Sequence, residues 1–128
     1  MKRRLALVAL PVYWVALFIA THYPRVRLPD EIPHSDKIAH FSAFGLLALL
    51  FWSFMRARRE IGPRFFWVST PVLVAYAALD EWLQQFVGRF TDLNDFFANT
   101  AGIVTVSIAI AVVSRARRRS HPRRDDPT

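Results

Sequence analysis

The chain has 128 residues, enough for one domain, and combines 53% hydrophobic residues with a formal net charge of +7. It contains no cysteine, which excludes a disulfide framework, a zinc–thiolate site and a thiol nucleophile together. No RNA- or DNA-binding motif accompanies the basic excess, so nucleic acid is not an expected partner.

In chain order, Lys2, Arg3 and Arg4 precede an apolar run over Leu5–Thr21. A basic start of this kind also opens secretory signals, but the run ends in FIATHYP, without a clean small-x-small cleavage site, and reads as a retained span. Pro24, Pro29 and Pro33 break the chain before a second apolar run, Ile38–Met55. Gly62 and Pro63 mark the next break, followed by a third run over Phe65–Val87 whose last third carries Asp80, Glu81, Gln84 and Gln85. After Gly88 and Arg89, a fourth run covers Phe96–Val113. Runs of about 20 residues match the thickness of a bilayer as helices. Pro11 and Pro71 fall inside two of them, a placement that membrane helices tolerate. The fold expected is all-α: a polytopic bundle of four transmembrane helices over residues 1–114, then a basic disordered tail over 115–128.

Charge sets the expected direction. Thirteen of the 17 Lys and Arg residues fall in the N-terminal segment, the loop after the second run and the C-terminal tail. Arg25, Arg27, Lys37 and Arg89 alone occupy the other two loops. The positive-inside rule then puts both termini in the cytoplasm, and the basic clusters read as topology signals that also meet anionic membrane lipids.

With that direction, helix rise places Asp80 and Glu81 roughly 10–12 Å below the outer end of the third span and Asn99 at a depth of about 10 Å in the fourth. His40 lies in the first turn of the second. Polar groups of three helices thus meet in the outer half of the membrane. Ala77, Glu81, Gln84 and Gly88 form one stripe of the third helix, with Asp80 about 100° aside yet within i+4 reach of Gln84. Leu79, Trp82, Leu83 and Phe86 take the arc suited to lipid. Asp95, Asn99 and Gly102 share a face of the fourth, where Gly102 allows close helix approach.

An ionised acid at mid-span costs about 2.5–3.5 kcal/mol on insertion scales. At least one of Asp80 and Glu81 is therefore expected to be protonated or tightly paired, with Arg89 the basic residue of that loop. Arg89 has two readings, an interfacial ion pair with Asp92 or Asp95 and a clamp on phosphate or carboxylate. His40 reads equally as a satisfied interfacial histidine and as a proton carrier, and Asn99 as a helix–helix hydrogen bond or a ligand contact. The candidate polar site is His40, Asp80, Glu81, Gln84, Arg89, Asp95 and Asn99. His22, His34 and His40 lack the spacing of a metal pair, and Thr21, Ser35, Ser42 and Thr91 lack a base and orienter, so no metal, cofactor or hydrolase triad is expected.

Two stretches, SDKIAHFSAFGLLALLFW and DEWLQQFVGRFTDLNDFFANTAG, resemble the VanZ-like family. Its pattern is Asp-Lys-x-x-His at the start of one helix, then Glu-x-x-Gln, a Gly-Arg turn, an Asp, an Asn or Asp four residues on, and a Gly. On this chain those positions are Asp36, Lys37, His40, Glu81, Gln84, Gly88, Arg89, Asp95, Asn99 and Gly102. The family often has Pro before Gly-Arg, where this chain has Val87. The resemblance implies an integral protein of the bacterial cytoplasmic membrane, in a family named for low-level resistance to the glycopeptide teicoplanin, with a cell-envelope role. The expected ligand is a glycopeptide or a lipid-linked envelope component. The alternatives are an enzyme acting on a lipid-linked phosphate and a non-catalytic assembly partner in the membrane. Neither the molecular activity nor the oligomeric state is written in the sequence.

Overall fold

A computed structural model describes residues 2–23, 35–58, 65–88 and 92–120. Four α-helices run through them: α1, Lys2–His22; α2, Ser35–Arg58; α3, Phe65–Gln84; and α4, Leu93–Ser120. A single 3-10 turn, Gln85–Val87, continues α3 to Gly88. No strand occurs among the described residues, in agreement with the all-α expectation.

The apolar runs become helices because long stretches of Ala, Leu, Ile, Val and Phe satisfy every backbone group internally. Pro11 and Pro71 lie within α1 and α3 without ending them. The helix α4 continues through Arg115 and Arg117 to Ser120, into the stretch expected to be a disordered tail. Arg and Ala are good helix formers, and cations suit the negative end of the helix dipole.

By length and composition α1, α2 and α4 can each cross a membrane. The helix α3 is not among them. Asp80, Glu81 and Gln84 fall within its last turn and a half, and Ser69, Thr70 and Pro71 interrupt its apolar run.

The packing reverses that of a water-soluble domain. The buried apolar core is small, centred on Phe44, Leu47, Leu73, Ala77 and Ile103, while large apolar side chains face outward, Trp67 at 82% exposure. Seven polar or charged side chains are buried instead: Thr21, Ser69, Asp80, Glu81, Gln84, Asp95 and Asn99. Apolar outside and polar inside is the arrangement of a chain whose solvent is hydrocarbon.

The main seam joins α2 to α4, whereas α2 and α3 scarcely touch. Gly102 makes the seam possible. A Cβ there would sit 2.1 Å from the Phe41 carbonyl oxygen and 3.0 Å from the Gly45 nitrogen, so the two backbones are in direct contact. The helix α1 joins α2 through the Tyr13 hydroxyl, which donates to the Ala43 carbonyl at 2.9 Å, and through Arg3, whose Nε donates to the Ala57 carbonyl at 2.8 Å. These contacts hold α1 antiparallel to α2.

Candidate functional site

Asp80 and Glu81 are consecutive residues near the end of α3, about 100° apart around the helix axis. They face different neighbours. Asp80 turns to α1 and to its own helix. Its Oδ1 accepts from the Thr21 hydroxyl at 3.2 Å and the Tyr76 hydroxyl at 3.4 Å, and its Oδ2 accepts from Gln84 Nε2 at 3.1 Å. His22 Nδ1 stands 3.8 Å from the same carboxylate, and the side chain of Asp80 is fully enclosed. The expected reach of Gln84 to Asp80 is present.

Glu81 turns to the start of α4, where its Oε1 accepts the backbone N–H of Asp92 at 2.7 Å. Asp92 caps α4, its Oδ1 accepting the Asn94 N–H at 2.8 Å, a use for which Asp is among the preferred residues. Its Oδ2 meets Lys37 Nζ at 2.8 Å, and the same ammonium reaches Asp95 and, at 3.3 Å, Asp36. One lysine at the start of α2 therefore binds the start of α4, and the ammonium holds the Asp92 carboxyl below its ordinary range.

His40, one turn into α2, completes this side. Its Nδ1 lies 3.0 Å from Asn99 Oδ1 and its Nε2 lies 3.5 Å from Asp95 Oδ2. Both ring nitrogens face oxygen acceptors, which suits the imidazolium; rotating the Asn99 amide by 180° suits the neutral ring instead. In either case one end of the Asn99 amide is left over. In the structure it is Nδ2, enclosed without a hydrogen-bond partner, and Glu81 Oε2 is enclosed and unpartnered as well.

Six of the seven predicted site residues are described: Asp80 and Gln84 on the α1 side, and His40, Glu81, Asp95 and Asn99 on the α4 side. Arg89 lies outside the described residues, and so does its expected pairing. Lys37, read from sequence as a motif residue and loop charge, makes ion pairs to Asp92 and Asp95. The polar stripe of α3 holds for Ala77, Glu81 and Gln84, all buried. Gly88 departs from it: it is exposed and adopts φ 75°, closing the end of the helix in a conformation that glycine favours. Leu79, Trp82 and Phe86 are exposed, as the lipid-facing arc requires. Missed from sequence was the second shell of hydroxyls on Asp80; Tyr76 stands four residues before it, a spacing that would have found it. Among the described residues no group of three His, Cys, Asp or Glu side chains is placed to hold a metal.

Residues 3–114 match a family model described as VanZ/LLP1. The chain belongs to the VanZ/LLP1 family. No curated protein and no solved structure matches it. In this VanZ/LLP1 chain the described motif residues Asp36, Lys37, His40, Glu81, Asp95 and Asn99 form the second of the two clusters, and Gly102 holds the helices that carry them together.

Proposed function

We propose that this VanZ/LLP1 protein spans the cytoplasmic membrane with four helices and both termini inside, and that its polar cluster opens outward to bind the polar part of a cell-envelope ligand. In this reading α3 is the fourth span, carried across by its partners, and the ligand is a glycopeptide such as teicoplanin or a lipid-linked envelope headgroup. The observation that carries the reading is the pair of enclosed atoms without partners, Glu81 Oε2 and Asn99 Nδ2. An acceptor and a donor, both desolvated, each cost about 1–3 kcal/mol when left unpaired, and a ligand group that donates to one and accepts from the other removes that cost. His40, set by Asp95 and through it by Lys37, holds Asn99, and the Asp92 N–H holds Glu81. Arg89, at the turn beside this cluster in sequence, is assigned to the ligand's anionic part. The use of this stripe to bind other membrane proteins is disfavoured, because Asp80, Glu81, Gln84, Asp95 and Asn99 are already buried within one chain.

The test is teicoplanin susceptibility of a sensitive Gram-positive host making the intact protein or the Glu81→Gln, Arg89→Ala or Asn99→Ala variant, at matched membrane levels. Protection by the intact protein that each variant loses is the expected result. Intact, inserted protein without effect on susceptibility, and without binding of lipid-linked envelope precursors in detergent, would sink the proposal.

A further inference from the structure

At the end of the bundle opposite the polar cluster, α2, α3 and α4 leave a shallow crevice lined by Phe51, Trp52, Phe65, Ser69, Leu73 and Ser107, among others. The helices α2 and α3 touch little, while each packs on α4. Phe51 and Phe65 stack across its mouth with ring centroids 6.2 Å apart. The lining is apolar with a few hydroxyls, and one polar atom in it is anomalous. The indole N–H of Trp52 is enclosed and meets no acceptor. An indole can only donate, so whatever satisfies it must bring an oxygen with a lone pair.

Charge narrows the occupant. Arg56, one turn beyond Trp52, lies with its guanidinium 5.2 Å from the centroid of the Trp52 ring. The described acids Asp36, Asp80, Glu81, Asp92 and Asp95 all belong to the other end, about 30 Å along α2 from Arg56. Among the described residues, then, no carboxylate competes for this guanidinium. A tryptophan with an arginine one turn outward is also the pairing expected where a helix passes from hydrocarbon to headgroups.

We propose that this crevice is a binding site for one anionic phospholipid of the leaflet that meets the arginine-bearing end. An acyl chain lies against Phe51, Phe65 and Leu73, an ester carbonyl accepts from the Trp52 indole N–H, and the phosphate pairs with Arg56. The site is separate from the outward polar cluster and does not depend on its function. It differs from general attraction of basic loops to anionic membranes in requiring one donor and one cation at fixed places.

The full chain, purified in mild detergent and mixed with phosphatidylglycerol or phosphatidylcholine of identical acyl chains, is examined by native mass spectrometry. One phosphatidylglycerol is retained in preference to phosphatidylcholine. Trp52→Phe keeps the ring but removes the donor, and lowers retention of both lipids about fivefold, the worth of one hydrogen bond. Ser69→Leu fills the crevice and has the same effect. Arg56→Gln abolishes the preference for phosphatidylglycerol, whereas Arg115→Gln, an equal loss of charge on α4, leaves it. Circular dichroism confirms that each variant keeps its helices. Equal retention of the two lipids by the intact protein would overturn the proposal. So would unchanged retention by both Trp52→Phe and Ser69→Leu, an equal effect of Arg115→Gln and Arg56→Gln, or a lipid-free dimer showing that a second copy fills the crevice.

Discussion

Asp80 and Glu81 are neighbours in sequence and nearly equal in burial, yet their surroundings differ in kind. Asp80 accepts hydrogen bonds from three side chains on both carboxylate oxygens, a closed arrangement. Glu81 uses one oxygen to hold a backbone N–H and keeps the other enclosed and idle, and Asn99 of the same cluster keeps an enclosed Nδ2 without a partner. Burial alone does not distinguish a structural acid from a ligand-binding one. The oxygens of the acid itself do: both of Asp80 are used and one of Glu81 is not, although His22 beside Asp80 also keeps an enclosed Nε2 without a partner.

The strongest way to break the comparison is to part the elements that build one side only. Gly102→Leu drives a side chain into the Phe41 carbonyl and forces α4 away from α2. We expect a loss of about 3 kcal/mol, read as a lower melting temperature of the helical circular dichroism signal in detergent, together with loss of the His40–Asn99 contact. The Asp80 cluster, which rests on α1 and α3, should keep its contacts. A fully stable Gly102→Leu protein would contradict the seam.

Next comes Asp80→Leu, which takes the carboxylate from the Tyr76 hydroxyl and the Gln84 amide and leaves the Thr21 hydroxyl to the Phe18 carbonyl. A loss of about 2 kcal/mol is expected, with envelope phenotype reduced only in proportion to the folded protein that remains. Glu81→Gln should behave in the opposite way. Its carbonyl still accepts the Asp92 N–H, so the melting temperature changes little, within about 0.5 kcal/mol, while ligand-dependent activity is lost. If Glu81→Gln destabilises as much as Asp80→Leu and leaves activity in proportion to folded protein, the distinction between the two acids fails.

The smallest effect concerns Asp92. Its folded-state pKa is depressed by Lys37, so it contributes stability at neutral pH that is lost as pH falls through the ordinary carboxylate range and below it. Asp92 is more than one-third exposed, and solvent screening holds the contribution to less than about 1 kcal/mol. Asp92→Asn is expected to flatten the acid limb of the melting temperature, the two proteins converging only at a pH below the depressed Asp92 pKa, where the carboxyl is protonated in both states. An unchanged acid limb would remove Lys37 as the cause.

Much of this arrangement was legible before any coordinates. Runs of apolar residues gave four helices with ends within three residues of those seen, except that α4 runs seven residues past Val113 to Ser120, and helical spacing put Glu81, Gln84 and Ala77 on one buried face with Trp82 and Phe86 on the other. The closeness allowed by Gly102 followed from its having no side chain. What the sequence did not disclose depended on which helix each face would meet. Asp80 and Glu81 could be recognised as an acidic pair but not as members of separate clusters, because their division requires α1 on one side and α4 on the other. Lys37 looked like a loop charge because the acids it joins lie more than fifty residues away. The unpartnered Trp52 N–H had no sequence signal at all.

The helix α3 has a consequence for how the protein is made. It carries two acids near its end and, among the described helices, is the one whose own sequence does not mark it as a candidate span. What neutralises its polar end comes partly from α1, already synthesised, and partly from Asp92 and the start of α4, not yet made when α3 leaves the ribosome. In the four-span reading proposed above, membrane entry of α3 waits for α4, and the two pass into the bilayer together. A chain cut short before Asp92 would leave α3 outside the bilayer and open to protease, while the full chain protects it.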